Sequence, residues 1–263
     1  MMLKPNDIKI LKWYKEMGVD EIHSNKTRNY SEKEKVAMQL EKTPKPEAIA
    51  KKYTPPKEAA LLARKLADQC QTIEQLRQVV FNFEGCLLRK TATNTVFADG
   101  NQNSEIMLIG EAPGANEDLQ GIPFCGDSGK LLDNIIKSIG LDRSNTYITN
   151  TIFWRPPGNR RPSEEEVEIC LPFVEKHIAL MNPKLIVLVG GTASFALFGD
   201  LGPITKQRQK ILQYTNKYLE KPIASTVIFH PSYLLRQPSQ KKLAWYDMLN
   251  IKKLLGADSA QQL

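Results

Sequence analysis

Beyond about residue 90 the apolar positions of this chain fall into short runs. Thr95–Phe97, Ile106–Ile109, Tyr147–Thr149, Leu185–Val189 and Thr226–Phe229 each read as a buried strand, rich in β-branched residues and closed by turn formers. Helical spacing fills the intervals at 128–139, 164–181, 191–198 and 240–255. Strands apolar on both faces that alternate with helices argue for a mostly parallel sheet covered on both sides. The expected fold is therefore a three-layer α/β/α sandwich. Ser163, followed by Glu164, Glu165 and Glu166, marks one helix start, with Glu166 at the capping-box position.

Upstream the pattern changes. Ile8, Ile10, Leu11 and Tyr14 lie near a helical period within 7–17, and residues 20–54 are polar and charged, reading as a flexible linker. Two further helices are expected over 56–69 and 72–82, where Pro55-Pro56 and Thr72 suit helix starts. The chain thus divides into a helical N-terminal extension with a linker, 1–82, and an α/β domain, 83–263.

Charge narrows the class of partner. Thirty-six basic against 29 acidic residues give a net charge of +7, which suits a polyanion such as nucleic acid. No apolar run approaches the roughly 18–20 residues that span a bilayer, so no membrane association is expected. The opening MMLKPNDIKILKWYKEMGVDEI is too polar for a signal-peptide core, so a cytoplasmic monomer is the expectation. The four cysteines, Cys70, Cys86, Cys125 and Cys170, are scattered and form no CxxC pair, which argues for buried thiols and against a disulfide framework.

The chemistry concentrates at three strand ends. Gly110-Glu111-Ala112-Pro113-Gly114 follows the run at 106–109, Asn150 closes Tyr147–Thr149 ahead of WRPPGNR, and His230 closes Thr226–Phe229 ahead of PSYLLR. Each is an apolar run, a polar residue and a proline-marked turn, and such ends can converge at one sheet edge. Glycine turns let backbone approach a ligand closely. Phe124, in GIPFCG, is an aromatic between turns that can stack on a flat base. An amide such as Asn150 offers one donor and one acceptor to a base edge.

These motifs, in this order from about Phe83 to Leu249, resemble the uracil-DNA glycosylase superfamily, most nearly its family 4 with the GEAPG motif. The resemblance implies a monofunctional repair enzyme that flips uracil from single- or double-stranded DNA and hydrolyses the glycosidic bond. It implies that Gly110 and Ala112 form one pocket wall and that Glu111 helps position water, with Glu117 and Asp118 matching a further acidic pair. By the same resemblance Phe124 stacks on the base, Asn150 reads O4 and N3–H, and His230 donates to O2 as the bond breaks. Arg155 and Arg160 contact phosphates or shape the rim. Ser232, Leu234, Leu235 and Arg236 match a minor-groove loop in which one of the two leucines wedges into the vacated space. A glycosylase for another deaminated base, and a weakly active DNA-binding repair module, are the alternatives.

One departure is plain in the sequence. Family 4 implies a [4Fe–4S] cluster on four cysteines, two of them as CxxC before GEAPG. Here that pair reads Phe83-Glu84-Gly85-Cys86, and Ile152-Phe153-Trp154 precedes RPP, so only Cys86 and Cys170 match. The expectation is that the cluster is lost, no metal or other cofactor is held, and Phe83 and Trp154 fill its volume.

Overall fold

In this computed structural model the described residues are 55–259, so the expected helix at 7–17 and linker at 20–54 lie outside them. Helices α1 (Pro56–Gln69) and α2 (Ile73–Asn82) come first. The Thr72 hydroxyl accepts from the Gln75 amide at 3.2 Å, so the expected cap starts α2. A single turn, α3 (Leu88–Thr91), leads to strands β1 (Ala98–Gly100) and β2 (Ile106–Gly110). Then follow α4 (Ala115–Gln120), α5 (Asp127–Lys137), β3 (Tyr147–Asn150), α6 (Glu164–Met181), β4 (Leu185–Val189) and α7 (Gly191–Phe198). The chain continues through α8 (Ile204–Gln207), β5 (Leu212–Tyr214), β6 (Ile223–Ile228), α9 (Pro231–Arg236) and α10 (Lys241–Ser259).

The six strands form one sheet in the order β1-β3-β2-β4-β6-β5. The inner four are parallel; β1 and β5 are short antiparallel edges. The period-2 alternation of side chains divides the apolar residues between two cores. Met107, Ile109, Tyr147, Ile186, Leu188 and Val227 face α1, α2 and α6. Ile106, Leu108, Ile148, Val187, Val189 and Ile228 face Leu132 and Ile136 of α5 and Met248 and Ile251 of α10. The three-layer architecture expected from the sequence is present.

Local chemistry explains the helices on the first face. Ala59, Ala63 and Ala67 recur at i, i+4 and i+8, and this small-residue stripe brings α1 against α6. Arg64 pairs with Glu175 across that contact. The Ser163 capping box forms as the sequence predicts: Glu166 N–H donates to Ser163 Oγ at 3.2 Å, and Ser163 N–H donates back to the Glu166 carboxylate at 2.8 Å.

Two strand expectations need correction. Thr95–Phe97 is not a strand, because ladder pairing with β3 begins only at Ala98. Val96 and Phe97 are buried all the same; Val96 N–H donates to Phe153 O, and Thr149 Oγ donates to Phe97 O. β5 is an addition that no three-residue pattern announced.

Candidate functional site

The four parallel strands end on one side of the sheet, and their carboxyl ends build a pocket of about 540 Å³. β2 supplies Gly110 and leads to Glu111, β3 supplies Asn150, β4 leads to Gly190, Gly191 and Thr192, and β6 leads to His230. The chain passes from β3 across β2 to β4, so the site sits at the crossover of an open α/β sheet, where ligands bind. Register holds Gly110 and Asn150 level, since they are direct partners across β2 and β3.

Gly110 sits between two of them. A β-carbon at this position would lie 2.4 Å from Asn150 Oδ1 and 2.5 Å from Phe124 Cζ, so both side chains close over its bare Cα. Asn150 is buried, and among the described residues its Oδ1 has no hydrogen-bond partner. An orphaned buried acceptor costs about 1–3 kcal/mol, so its natural complement is a donor brought by a ligand. Phe124 lies beside it with φ of +53°, and its ring centroid is 5.7 Å from that of His230.

His230 has a defined protonation state. Burial, together with the charge of Arg236, lowers its pKa to about 4 against a smaller opposing pull from Glu117, so the ring is neutral at pH 7. Its Nδ1 accepts from the Ser232 amide at 3.2 Å and lies 2.8 Å from Ser232 Oγ. A nitrogen that accepts from an amide carries no proton, so the proton resides on Nε2 and is available to the pocket. Behind this turn the Phe229 ring lies 4.3 Å from the Arg208 guanidinium, which a buried bidentate pair ties to Asp247.

The acids separate cleanly. Glu111 lines the pocket, and among the described residues its side chain makes no hydrogen bond. Both oxygens of Glu117 are occupied, one by Gly114 N–H at 3.0 Å and the other by Gly126 N–H at 2.9 Å. Glu117 therefore caps α4 and ties the GEAPG turn to the start of α5. Asp118 is buried and accepts from the amides of Thr93 and Asn94 at 2.8 and 3.1 Å. Neither is a solvated loop acid.

Arg155 donates to Asn159 Oδ1 at 2.6 Å and stands 4.0 Å from Asp118, bracing the loop. Arg160 lines the pocket but makes a two-point pair with Glu166 at 2.8 and 2.5 Å. Ala112, Ser232 and Arg236 line the pocket. Of the two wedge leucines, Leu234 is fully buried against Phe229 and Ala244, so the expectation that it could enter DNA is corrected. One residue on along the short helix α9, Leu235 is exposed. Gly190, Gly191, Thr192, Asn159 and Tyr233 also line the pocket and were missed. A signal existed for the first three: LIVLV runs into Gly-Gly-Thr just as the other strands run into their turns.

Below the strand ends lies the volume where the family resemblance implies an iron–sulfur cluster. Trp154 is fully buried and stacks on Phe83 at 6.3 Å, and Phe83 meets Phe173 edge-on at 5.0 Å. The indole N–H donates to Thr95 Oγ at 2.9 Å. Cys86 and Cys170 are buried, and the nearby Cys86 sulfur together with burial holds Cys170 well above the ordinary thiol range. Cys70 donates to the Leu66 carbonyl of α1, and Cys125 stands in the pocket loop. Two thiols among packed rings do not fit a group that needs four thiolates.

Comparison with known proteins agrees with this geometry. The family model of the uracil DNA glycosylase superfamily matches residues 97–252. The Type-4 uracil-DNA glycosylase of Sulfurisphaera tokodaii is 39% identical over 188 residues, covering 70% of this chain and 84% of that protein. That of Archaeoglobus fulgidus is 37% identical, covering 71% and 94%, and that of Thermotoga maritima is 38% identical, covering 65% and 88%. With its site at the strand ends and its sequence matched over most of these relatives, the chain belongs to the uracil-DNA glycosylase superfamily.

Proposed function

We propose that this protein is a hydrolytic DNA N-glycosylase of base-excision repair, acting as a cytoplasmic monomer that removes uracil and leaves an abasic site. Relatives named Type-4 uracil-DNA glycosylase support the activity. The observation that carries the base assignment is the buried Oδ1 of Asn150, unpaired among the described residues. Uracil presents N3–H to that acceptor and O4 to the amide N–H; cytosine presents the opposite polarity, and a buried site left unpaired rejects it. The α/β body from residue 83 carries the pocket, and α1 and α2 buttress the sheet from one face.

The reaction follows from the same residues. The flipped base lies on Phe124 with one carbonyl toward His230. As the bond from N1 to the sugar lengthens, negative charge builds on the uracil oxygens. The neutral imidazole donates from Nε2 to O2, stabilising that charge without having to lose a proton. Glu111, which lines the pocket, orients the water that adds to the sugar carbon and supports the positive charge developing there. No lysine in the matched pocket motifs suggests a covalent step.

Oligonucleotides carrying uracil, hypoxanthine or xanthine, incubated with the protein and cleaved by alkali at abasic sites, test this reading. Strand breaks at uracil are expected. Breaks only at a purine lesion would reassign the substrate, and binding without base release would make the protein a repair scaffold.

A further inference from the structure

The ring expected to stack on the base stands on backbone that needs outside support. Phe124 adopts the left-handed region, which non-glycine residues seldom keep without tethers. The tether is Arg143, in the loop between α5 and β3. Its Nη1 donates to the Pro123 carbonyl at 3.1 Å, and its Nη2 donates to the Phe124 carbonyl. The same guanidinium is fixed from two other elements: Nη1 donates to Asp99 of β1 at 2.6 Å, and Nε donates to Asp133 of α5 at 3.0 Å. Four of its five N–H groups are therefore committed.

A second contact closes the grip. A β-carbon on Gly129 would lie 1.6 Å from the Phe124 carbonyl oxygen, so α5 presses its bare Cα against the peptide that Arg143 holds. The ring beyond this clamped peptide reaches Gly110 and His230. Arg143 itself is not among the residues lining the pocket.

We infer that Arg143 is the positioning residue of the base-stacking ring: it ties β1 and α5 to the Pro123–Phe124 turn and thereby sets where the flipped base lies. This rests on the uracil-pocket reading above. A planar fork can hold two carbonyls and two carboxylates at once, whereas a lysine ammonium, a compact charge with three donors, cannot reproduce that geometry. The sequence around Arg143, GLDRSNTY, carries no sign of this, because its partners lie 10 to 44 residues away.

The test uses the full chain and three measurements. R143K and R143Q should slow single-turnover uracil excision by roughly 10- to 100-fold, as displacements near 1 Å do, with affinity for uracil-free DNA unchanged. Cys125, next to Phe124, is the one partly exposed thiol of the four. A thiol reagent should modify it faster in both variants while the three buried thiols stay protected. In a Phe124→Ala background, R143K should add no further loss, because the arginine acts through the ring.

Several results would overturn the inference. Wild-type excision in R143K is one, and a loss in R143K that multiplies with that of Phe124→Ala is another. Release of all four thiols in folded R143K would show general support of the fold instead. Should both arginine variants fail to fold, Asp133→Asn, which removes one half-exposed tether, decides. Slower excision with faster Cys125 labelling supports positioning; no change in either refutes it. Phe124→Ala excising at the wild-type rate would instead remove the base-stacking reading itself, a failure distinct from that of Arg143.

Discussion

Two buried regions meet between Asn150 and Trp154, and they solve opposite problems. At the strand ends, side chains are held with hydrogen-bonding capacity unspent: among the described residues Asn150 Oδ1 and His230 Nε2 have no hydrogen-bond partner, and both residues line the pocket. Four residues on, Trp154 is packed on every side and its one polar atom is satisfied. The first region leaves bonding capacity open, as a ligand site does; the second contributes packing. Removing a side chain from each should therefore give different kinds of damage.

The largest effect is expected in the packed region. Trp154→Ala should cost about 3–5 kcal/mol of stability, the usual range for a buried tryptophan, read as a lower urea midpoint. The fraction that remains folded should still excise uracil. Loss of activity with unchanged stability would erase the contrast between the two regions.

Next comes the pocket. His230→Ala should slow single-turnover excision by about 10²–10³, as loss of a preorganised donor does. Affinity for uracil-containing DNA should change little, because the bond strengthens only as charge develops. An unchanged rate would take His230 out of the reaction.

Asn150→Asp should weaken uracil excision by about 1–3 kcal/mol of transition-state stabilisation, because a carboxylate offers no donor to O4. Kinetics on matched uracil and cytosine substrates check this, with some cytosine release expected only where the acid is protonated. Equal uracil rates would remove Asn150 from base reading.

The pH dependence is milder. The His230 pKa falls from its ordinary 6.5 to about 4 on folding, because burial and Arg236 disfavour the charged ring. The unfolded chain then binds a proton that the folded one refuses, so this group's stabilisation is full above pH 6.5 and is lost as pH falls toward 4. Excision by folded protein should persist below pH 6 and fail only near pH 4. An acid limb centred at 6.5 would show a solvated histidine. Smallest of all, growth without iron, or chelation of the purified protein, should change neither colour nor activity, whereas stoichiometric iron and sulfide would overturn the packed-ring account.

Much of this was legible because it is written locally. The parallel strands are apolar runs, the Ser163 capping box spans four residues, and Glu111, Asn150 and His230 each close a strand. The rest depends on geometry that no local pattern carries. Leu234 and Leu235 are chemically identical neighbours, and only the rotation of α9 sends one inward. Glu111 and Glu117 are both acids of one motif, yet the two amides that occupy Glu117 come from different turns. Arg155 and Arg160 each have a partner that the sequence does not announce, Asn159 and Glu166. Val96 and Phe97 had strand composition, but β-branching records burial as well as ladder pairing.

The stacked rings of Phe83, Trp154 and Phe173 bear on biosynthesis as well as on packing. A core closed by side chains is complete when translation ends. Where these rings meet, the interior is closed by folding itself, with no later insertion step at that place.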